Sequence, residues 1–239
     1  MKKFYSTLIT AFLSLSLCNG QEFISKYPEL TKKNLSEFFA DWKAYSDSIA
    51  ANVPLQDVTL DSIITCEINA YRNLSNHTRL PKFNVLLRYI KVDRYFIEAD
   101  TTAYLKYGYI YDQNDNNAII EYRLDSITPP LSPTGLYLTD SIESKLSHFA
   151  GGLNKADGTL TKIKNKNLKT LSKYIDLAYG HWGGYWHFCT FPQIYRITAA
   201  HNLLIFKRRT SWCTGDERWY KKSGNVFIRD PERKNGWIE

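Results

Sequence analysis

The run from Gly180 to Pro192 constrains this chain more than any other stretch. Its thirteen residues hold two Trp, two His, three Gly, two Phe, a Tyr and a Cys. Gly183-Gly184 can take positive φ without steric cost, so it predicts a turn or a close backbone approach. From Tyr185 the chain reads as extended up to Pro192, which cannot donate to a sheet ladder and so ends the strand or marks an edge. In a strand, Tyr185, His187, Cys189 and Phe191 share one face, and Trp186, Phe188 and Thr190 share the other. Both faces carry large apolar groups, and a strand apolar on both sides is usually covered on both. The run is therefore expected to be the central strand of the main core.

The first twenty residues read differently. Lys2-Lys3 is a basic start, Phe4 to Leu17 is largely apolar, and small residues precede Gln21. That pattern predicts a secretory signal peptide over residues 1–20 rather than a membrane span, which needs about 20 apolar residues without a polar break. Cys18 opens an alternative as a lipid-carrying first residue; Leu17 directly before it, where a small residue is expected, counts against that. No later segment is long and apolar enough to cross a bilayer. The expectation is an exported protein, periplasmic or extracellular, with no transmembrane segment in the mature chain.

Loss of the leader would remove Lys2 and Lys3, leaving 29 basic against 24 acidic residues. The basic excess sits in Lys155 to Lys173 and in Lys207-Arg208-Arg209. Neither run interleaves aromatics in the manner of RNA-binding segments, so nucleic acid is not an expected partner. Cys66, Cys189 and Cys213 would remain, an odd number, with no Cys-x-x-Cys spacing. One pair and one buried thiol is the expectation in an oxidising compartment, with Cys189 and Cys213 as the disulfide candidate.

Residues 21–239 are expected to form a single α+β domain with a seam at 129–135, where Pro129, Pro130 and Pro133 stiffen the chain. The aromatic content of 15% suits β-rich structure. Asn34-Leu35-Ser36-Glu37 predicts a capping box. Leu35, Phe38, Phe39, Trp42, Tyr45 and Ile49 then recur at helical spacing. Leu60, Ile63, Ile64, Ile68 and Tyr71 predict a second helix. Strands are expected at Phe83 to Tyr89 and Tyr104 to Tyr111, with Ala118 to Ile127 as hairpin partner of the latter across an Asn/Asp turn at 112–117. Asp140-Ser141-Ile142-Glu143 predicts another capping box, with Gly151-Gly152 stopping that helix. Leu168, Leu171, Ile175 and Ala178 predict a short helix ended by Gly180. Ile194 to Ala199, Leu203 to Arg209, Glu217 to Lys222 and Val226 to Ile228 read as strands, the last two joined by a turn at Ser223-Gly224-Asn225.

No Gly-rich phosphate loop, His-Glu-x-x-His or Gly-x-Ser-x-Gly motif is present. In one straight strand His181 and His187 would lie about 20 Å apart. They could share a metal only if Gly183-Gly184 folds the chain back and Asp216 or Glu217 adds a third ligand; two His alone fall below the usual count, so neither a metal site nor a cofactor is expected. Trp182, Tyr185 and Trp186, with His181 and His187, could instead line a pocket, since flat aromatic faces suit sugars and other apolar-faced ligands. Asp125, Asp140, Asp216 and Glu217 cannot be paired into an acid–base couple from the sequence.

Leu136-Tyr137-Leu138-Thr139, the Gly-His-Trp-Gly-Gly-Tyr-Trp-His run and Thr190-Phe191-Pro192 together resemble a family of exported bacterial proteins to which no activity is assigned. The resemblance covers mainly residues 136–228 and implies an exported address; it carries no functional residues. The C-terminal strands, with their Gly-centred turn, also resemble the end of an NTF2/cystatin-like fold, which implies a helix packed in a curved sheet around a pocket. The fold expected is thus α+β: a curved antiparallel sheet with the aromatic strand inside it and the helix from Leu35 to Ile49 packed on it. The function expected is non-enzymatic binding of a small molecule, glycan or envelope partner. The alternatives are a hydrolase using His181 or His187 with Asp216 or Glu217, and a structural or interaction protein without a ligand site.

Overall fold

A computed structural model describes residues 23–54, 57–74, 82–95, 103–106, 109–112, 122–151, 166–179, 186–211, 213–233 and 235–238. The leader, Cys18, the turn expected at 113–117, and the candidate residues His181, Trp182 and Tyr185 lie outside them. In chain order the elements begin with α1 (Leu35–Ala51), α2 (Val58–Leu74), β1 (Asn84–Leu87), β2 (Ile90–Tyr95), β3 (Ala103–Lys106), β4 (Tyr109–Asp112) and β5 (Tyr122–Ile127). They continue with β6 (Gly135–Leu138), α3 (Asp140–Phe149), β7 (Ala178–Tyr179), β8 (Trp186–His187), β9 (Gln193–Ala200), β10 (Leu203–Arg209), β11 (Thr214–Ser223), β12 (Val226–Asp230) and β13 (Gly236–Ile238). The chain divides into two compact units. One holds Met1–Leu55, His77–Leu86 and Pro130–Thr190; the other holds Gln56–Asn76, Leu87–Pro129 and Phe191–Glu239.

The first unit is built on α1. Its apolar stripe buries Leu35, Phe38, Phe39 and Trp42, as the periodicity predicts. Phe39 stacks on Tyr174 at 4.4 Å and on Phe83 at 5.8 Å between ring centroids. The helix also completes a strand: Trp42 Nε1 donates to the Tyr137 carbonyl at 2.8 Å, and the Tyr137 N–H donates to Ser46 Oγ at 3.0 Å. β6 pairs with β1, so these two side chains satisfy backbone groups of β6 that the pairing leaves over. Both are fully buried.

The capping box at Asn34 does not form. Asn34 itself has helical dihedrals and caps nothing with its side chain. Its side-chain Oδ1 accepts from the Thr31 N–H at 2.7 Å and its Nδ2 donates to the Glu29 carbonyl at 3.0 Å, so the side chain is committed to the preceding turn. The cap of α3 lies one residue earlier than expected: Thr139 Oγ1 accepts from the Ile142 N–H at 3.4 Å. Gly151, with φ of 100°, follows that helix as expected. Around Leu168, where a helix is expected, the described residues 166–171 are helical, and Ala178 already belongs to β7.

A titrating pair, a buried tyrosine with a half-buried aspartate, ties the segment before α1 to that helix. Tyr27 donates from its hydroxyl to Asp41 Oδ2 at 2.7 Å, and Lys26 Nζ reaches the same oxygen at 2.8 Å. Burial, and then the bond to Asp41, pushes the Tyr27 phenol up to about 12. A raised folded value stabilises fully below the unfolded value of 10 and is lost as pH climbs toward 12. In urea unfolding, the stability gap between wild type and Tyr27→Phe should therefore shrink as pH rises through that window. A gap that stays constant would show that Tyr27 does not titrate as the geometry requires.

The second unit is an α+β layer pair. Its sheet has the order β12-β11-β10-β9-β2-β5, with β13 on β11 beside β12. It is open and mostly antiparallel; β2 and β9 are parallel. The four late strands run as the sequence predicts, and Gly224 turns β11 into β12 with φ of 60°. One face of the sheet carries Val92, Ile197, Leu204, Phe206 and Tyr220, and α2 lays Leu60 and Ile64 on it, with Ile63 and Ile68 at the margin. β13 was not anticipated. Trp237 covers Gly215, where an added Cβ would sit 2.1 Å from the indole, so only glycine permits this crossing.

Several expectations change here. The helix packed on the main sheet is α2; the strand against which α1 is anchored is β6 of the first unit. The aromatic strand is not inside the sheet. β8 is two residues long and pairs with β7, His187 opposite Ala178. Phe188, Cys189 and Thr190 leave strand geometry but stay buried, because Thr190 exchanges two hydrogen bonds with Val85: its N–H to the carbonyl at 2.9 Å, and its Oγ1 from the N–H at 3.0 Å. The stretch Tyr104 to Tyr111 does not run as one strand: β3 and β4 pair with each other antiparallel, Ala103 opposite Asp112 and Lys106 opposite Tyr109. β5 then pairs with β2 instead of returning on that strand, with Ile127 opposite Ile90.

Candidate functional site

The second unit holds an open cleft of about 650 Å³ where the first turn of α2 meets the sheet. That lies within the range of small-molecule sites. The helix contributes Thr59 and Leu60, and Asp57 stands just before its first residue. The sheet contributes Ala199, Leu204 and Phe227 as apolar surface, with Arg94, His201 and Lys222 around them. Strand alternation explains the assembly. Ala199 faces Leu204, and Lys222 faces Phe227 across strand pairs, so these four share the face on which α2 lies. Helix spacing then ends the apolar stripe of α2 at Leu60, its first buried residue, and leaves room ahead of it.

Among its described lining residues, the electrostatics of the cleft lean positive. Asp57 Oδ1 caps the helix, accepting from the N–H groups of Thr59 at 3.0 Å and Leu60 at 3.3 Å. Arg94 reaches Asp125 only at 3.4 Å. Asp125 is held below the usual carboxylate range, first by the Ser126 N–H and then by Arg94, with Arg123 adding to it. Lys222 is exposed at the rim.

Further along the same helix face lies a buried ionic cluster. Glu67 accepts from Arg208 Nη1 and from the Tyr220 hydroxyl, and Arg208 grips Asp216 with two bonds of 2.8 Å. Arg218 adds a 2.9 Å contact to Asp216. A bulge between Lys207 and Arg208 sets this part of β10 against β9. Burial, and then the bond to Glu67, pushes the Tyr220 phenol up. Both carboxylates are thus committed to cations.

The residues singled out by sequence are not brought together in one described site. His181, Trp182 and Tyr185 are outside the described residues, and of Trp186 only the strand pairing is described. His187 is half-buried in the first unit. Asp216 and Glu217 belong to the second unit. Glu217 accepts from Trp219 Nε1 at 3.2 Å and from Asn235 at 3.1 Å. Cys66, Cys189 and Cys213 are all free thiols, so the Cys189–Cys213 disulfide is not formed. Cys189 is sealed in the first unit, where burial and then the Glu143 charge push its thiol up, and Cys213 sits in the β10–β11 turn of the second. Among the described residues no group of three or more His, Cys, Asp or Glu is placed to hold a metal ion. No described helix is long and apolar enough to cross a membrane. The cleft itself was missed, because its parts come from four separated segments of chain.

What fold and site define is an α+β module with one helix laid on an open, mostly antiparallel sheet and a cleft at the helix start. No protein-family model, curated protein or solved structure matches the chain.

Proposed function

We propose that the protein is a non-enzymatic binding protein whose small-molecule ligand sits in the cleft of the second unit. The observation that carries this reading is the combination of a 650 Å³ concavity with an apolar floor and a few polar groups at its rim. This moves the seat away from His181, Trp182, Tyr185, Trp186 and His187. The cone-like arrangement implied by the likeness to NTF2/cystatin-like folds is in keeping with a helix over a sheet and a cleft at its end. The leader pattern at residues 1–20 supports an exported setting for the ligand. The hydrolase alternative wants a free acid beside a histidine; Asp216 instead faces two arginines.

A neutral fluorescent probe tests the seat. N-phenyl-1-naphthylamine should brighten on the full chain with saturable one-to-one binding. Ala199→Trp, which places a ring in the cleft, should weaken it by about tenfold or more without loss of the circular-dichroism spectrum. Absence of saturable binding, or binding indifferent to Ala199→Trp in a folded variant, would overturn the reading.

A further inference from the structure

We infer that the ligand of this cleft is an amphipathic monoanion, an acyl or ring-bearing body with a single acidic head. The inference rests on the cleft being the ligand seat and adds the chemistry of what occupies it.

The lining has two chemical halves. Leu60, Leu204 and Phe227, with Ala199 opposite Leu204 across the β9–β10 pair, present apolar surface from both helix and sheet. Among the described residues, Arg94 and Lys222 bring two positive charges to the same cavity, against one carboxylate, Asp57. That carboxylate is turned into the helix cap by two backbone N–H groups. Among the described residues, the ion pair of Arg94 is a long contact to Asp125 at 3.4 Å, whose charge is shared with Arg123 at 3.3 Å and the Ser126 N–H at 2.8 Å. Lys222 stands directly across the strand pair from Phe227, so cation and aromatic surface adjoin.

Each half disfavours a class of ligand. A neutral apolar molecule can rest on the apolar floor, but it strips water from Arg94 and Lys222 and returns no hydrogen bond, so it binds less tightly than a matching anion. A small, highly charged anion such as phosphate would leave the apolar floor wet and gain nothing from it. A single acidic head between the cations, with an apolar body along Leu204 and Phe227, satisfies both halves, and the charge-assisted bonds set its orientation.

Calorimetric titration of the full chain with octanoate, 1-octanol and acetate tests this. Octanoate should bind about tenfold more tightly than 1-octanol, and acetate should not saturate. Lys222→Gln and Arg94→Gln should each weaken octanoate several-fold and leave 1-octanol unchanged, and added salt should weaken octanoate alone. Equal binding of 1-octanol and octanoate would overturn the anionic assignment while the cleft remained the seat. Acetate binding as tightly as octanoate would overturn the need for an apolar body. Octanoate binding that survives both Lys222→Gln and Ala199→Trp would place it elsewhere and overturn the inference, with N-phenyl-1-naphthylamine reporting separately on the seat.

Discussion

Arg208→Met should destabilise the protein by about 3–5 kcal/mol, the usual cost of stranding a buried charge. Arg208 is 2% exposed and Glu67 5% exposed. Removing the guanidinium takes one donor from Glu67 and both of its own bonds from Asp216. Glu67 then keeps the Tyr220 hydroxyl, and Asp216 keeps Arg218. A loss of this size is a large part of the stability of an ordinary domain. Urea unfolding followed by circular dichroism measures it. The Glu67→Gln, Arg208→Met double variant should lie closer to wild type than Arg208→Met alone, because no uncompensated carboxylate remains at Glu67 and Gln can still accept from Tyr220. A single variant within about 1 kcal/mol of wild type would show that the cluster is not closed to water.

Trp42→Ala should cost about 3–5 kcal/mol through the cavity alone. Trp42 is fully buried, and its ring lies 5.5 Å from Phe39 and 5.8 Å from Phe38 between centroids. The truncation also orphans the Tyr137 carbonyl, a further penalty of about 1–3 kcal/mol. Trp42→Phe separates the two contributions. It keeps most of the apolar volume and loses only the donor, so its loss should fall near the second figure. Thermal or urea unfolding of both variants gives the comparison. A Phe variant as stable as wild type would mean that the Tyr137 carbonyl finds another donor and that the strand completion by α1 is dispensable.

The two variants also mark where local reading succeeds. The apolar stripe Leu35, Phe38, Phe39, Trp42 recurs every three or four residues, and a helix is the only backbone that puts them on one face. Leu204 and Phe206, two apart, do the same for a strand, and both types of element stand where that spacing put them. The signals for the ionic cluster were present in the same spacings. Glu67 follows Leu60 by seven residues and Ile64 by three, so it belongs to the apolar stripe of α2. Arg208 continues the alternation of Leu204 and Phe206 onto the covered face. A charge on an apolar stripe announces a buried partner, but not which one, since Glu67 and Arg208 are 141 residues apart.

The aromatic run shows the opposite case. Its composition correctly marks Phe188 and Cys189 as buried. It misleads on pairing, because apolar residues on both faces are equally consistent with a central strand and with an irregular segment walled in by a neighbouring β-strand and side-chain hydrogen bonds. Thr190 chooses the second through Val85, a contact across 105 residues that no local pattern encodes.

The identity of α1, α2, α3 and β9 to β12, the turn at Gly224 and the α+β class were written in the order of the residues, because backbone sterics and the 3.6 and 2.0 periodicities act over a few positions. Strand order, the choice of α2 over α1 to cover the main sheet, and the gathering of Leu60, Arg94, Ala199 and Lys222 around one cleft belong to the tertiary structure alone. Those outcomes depend on which distant surfaces exclude water from each other and which buried polar groups find partners, and both are properties of the folded whole.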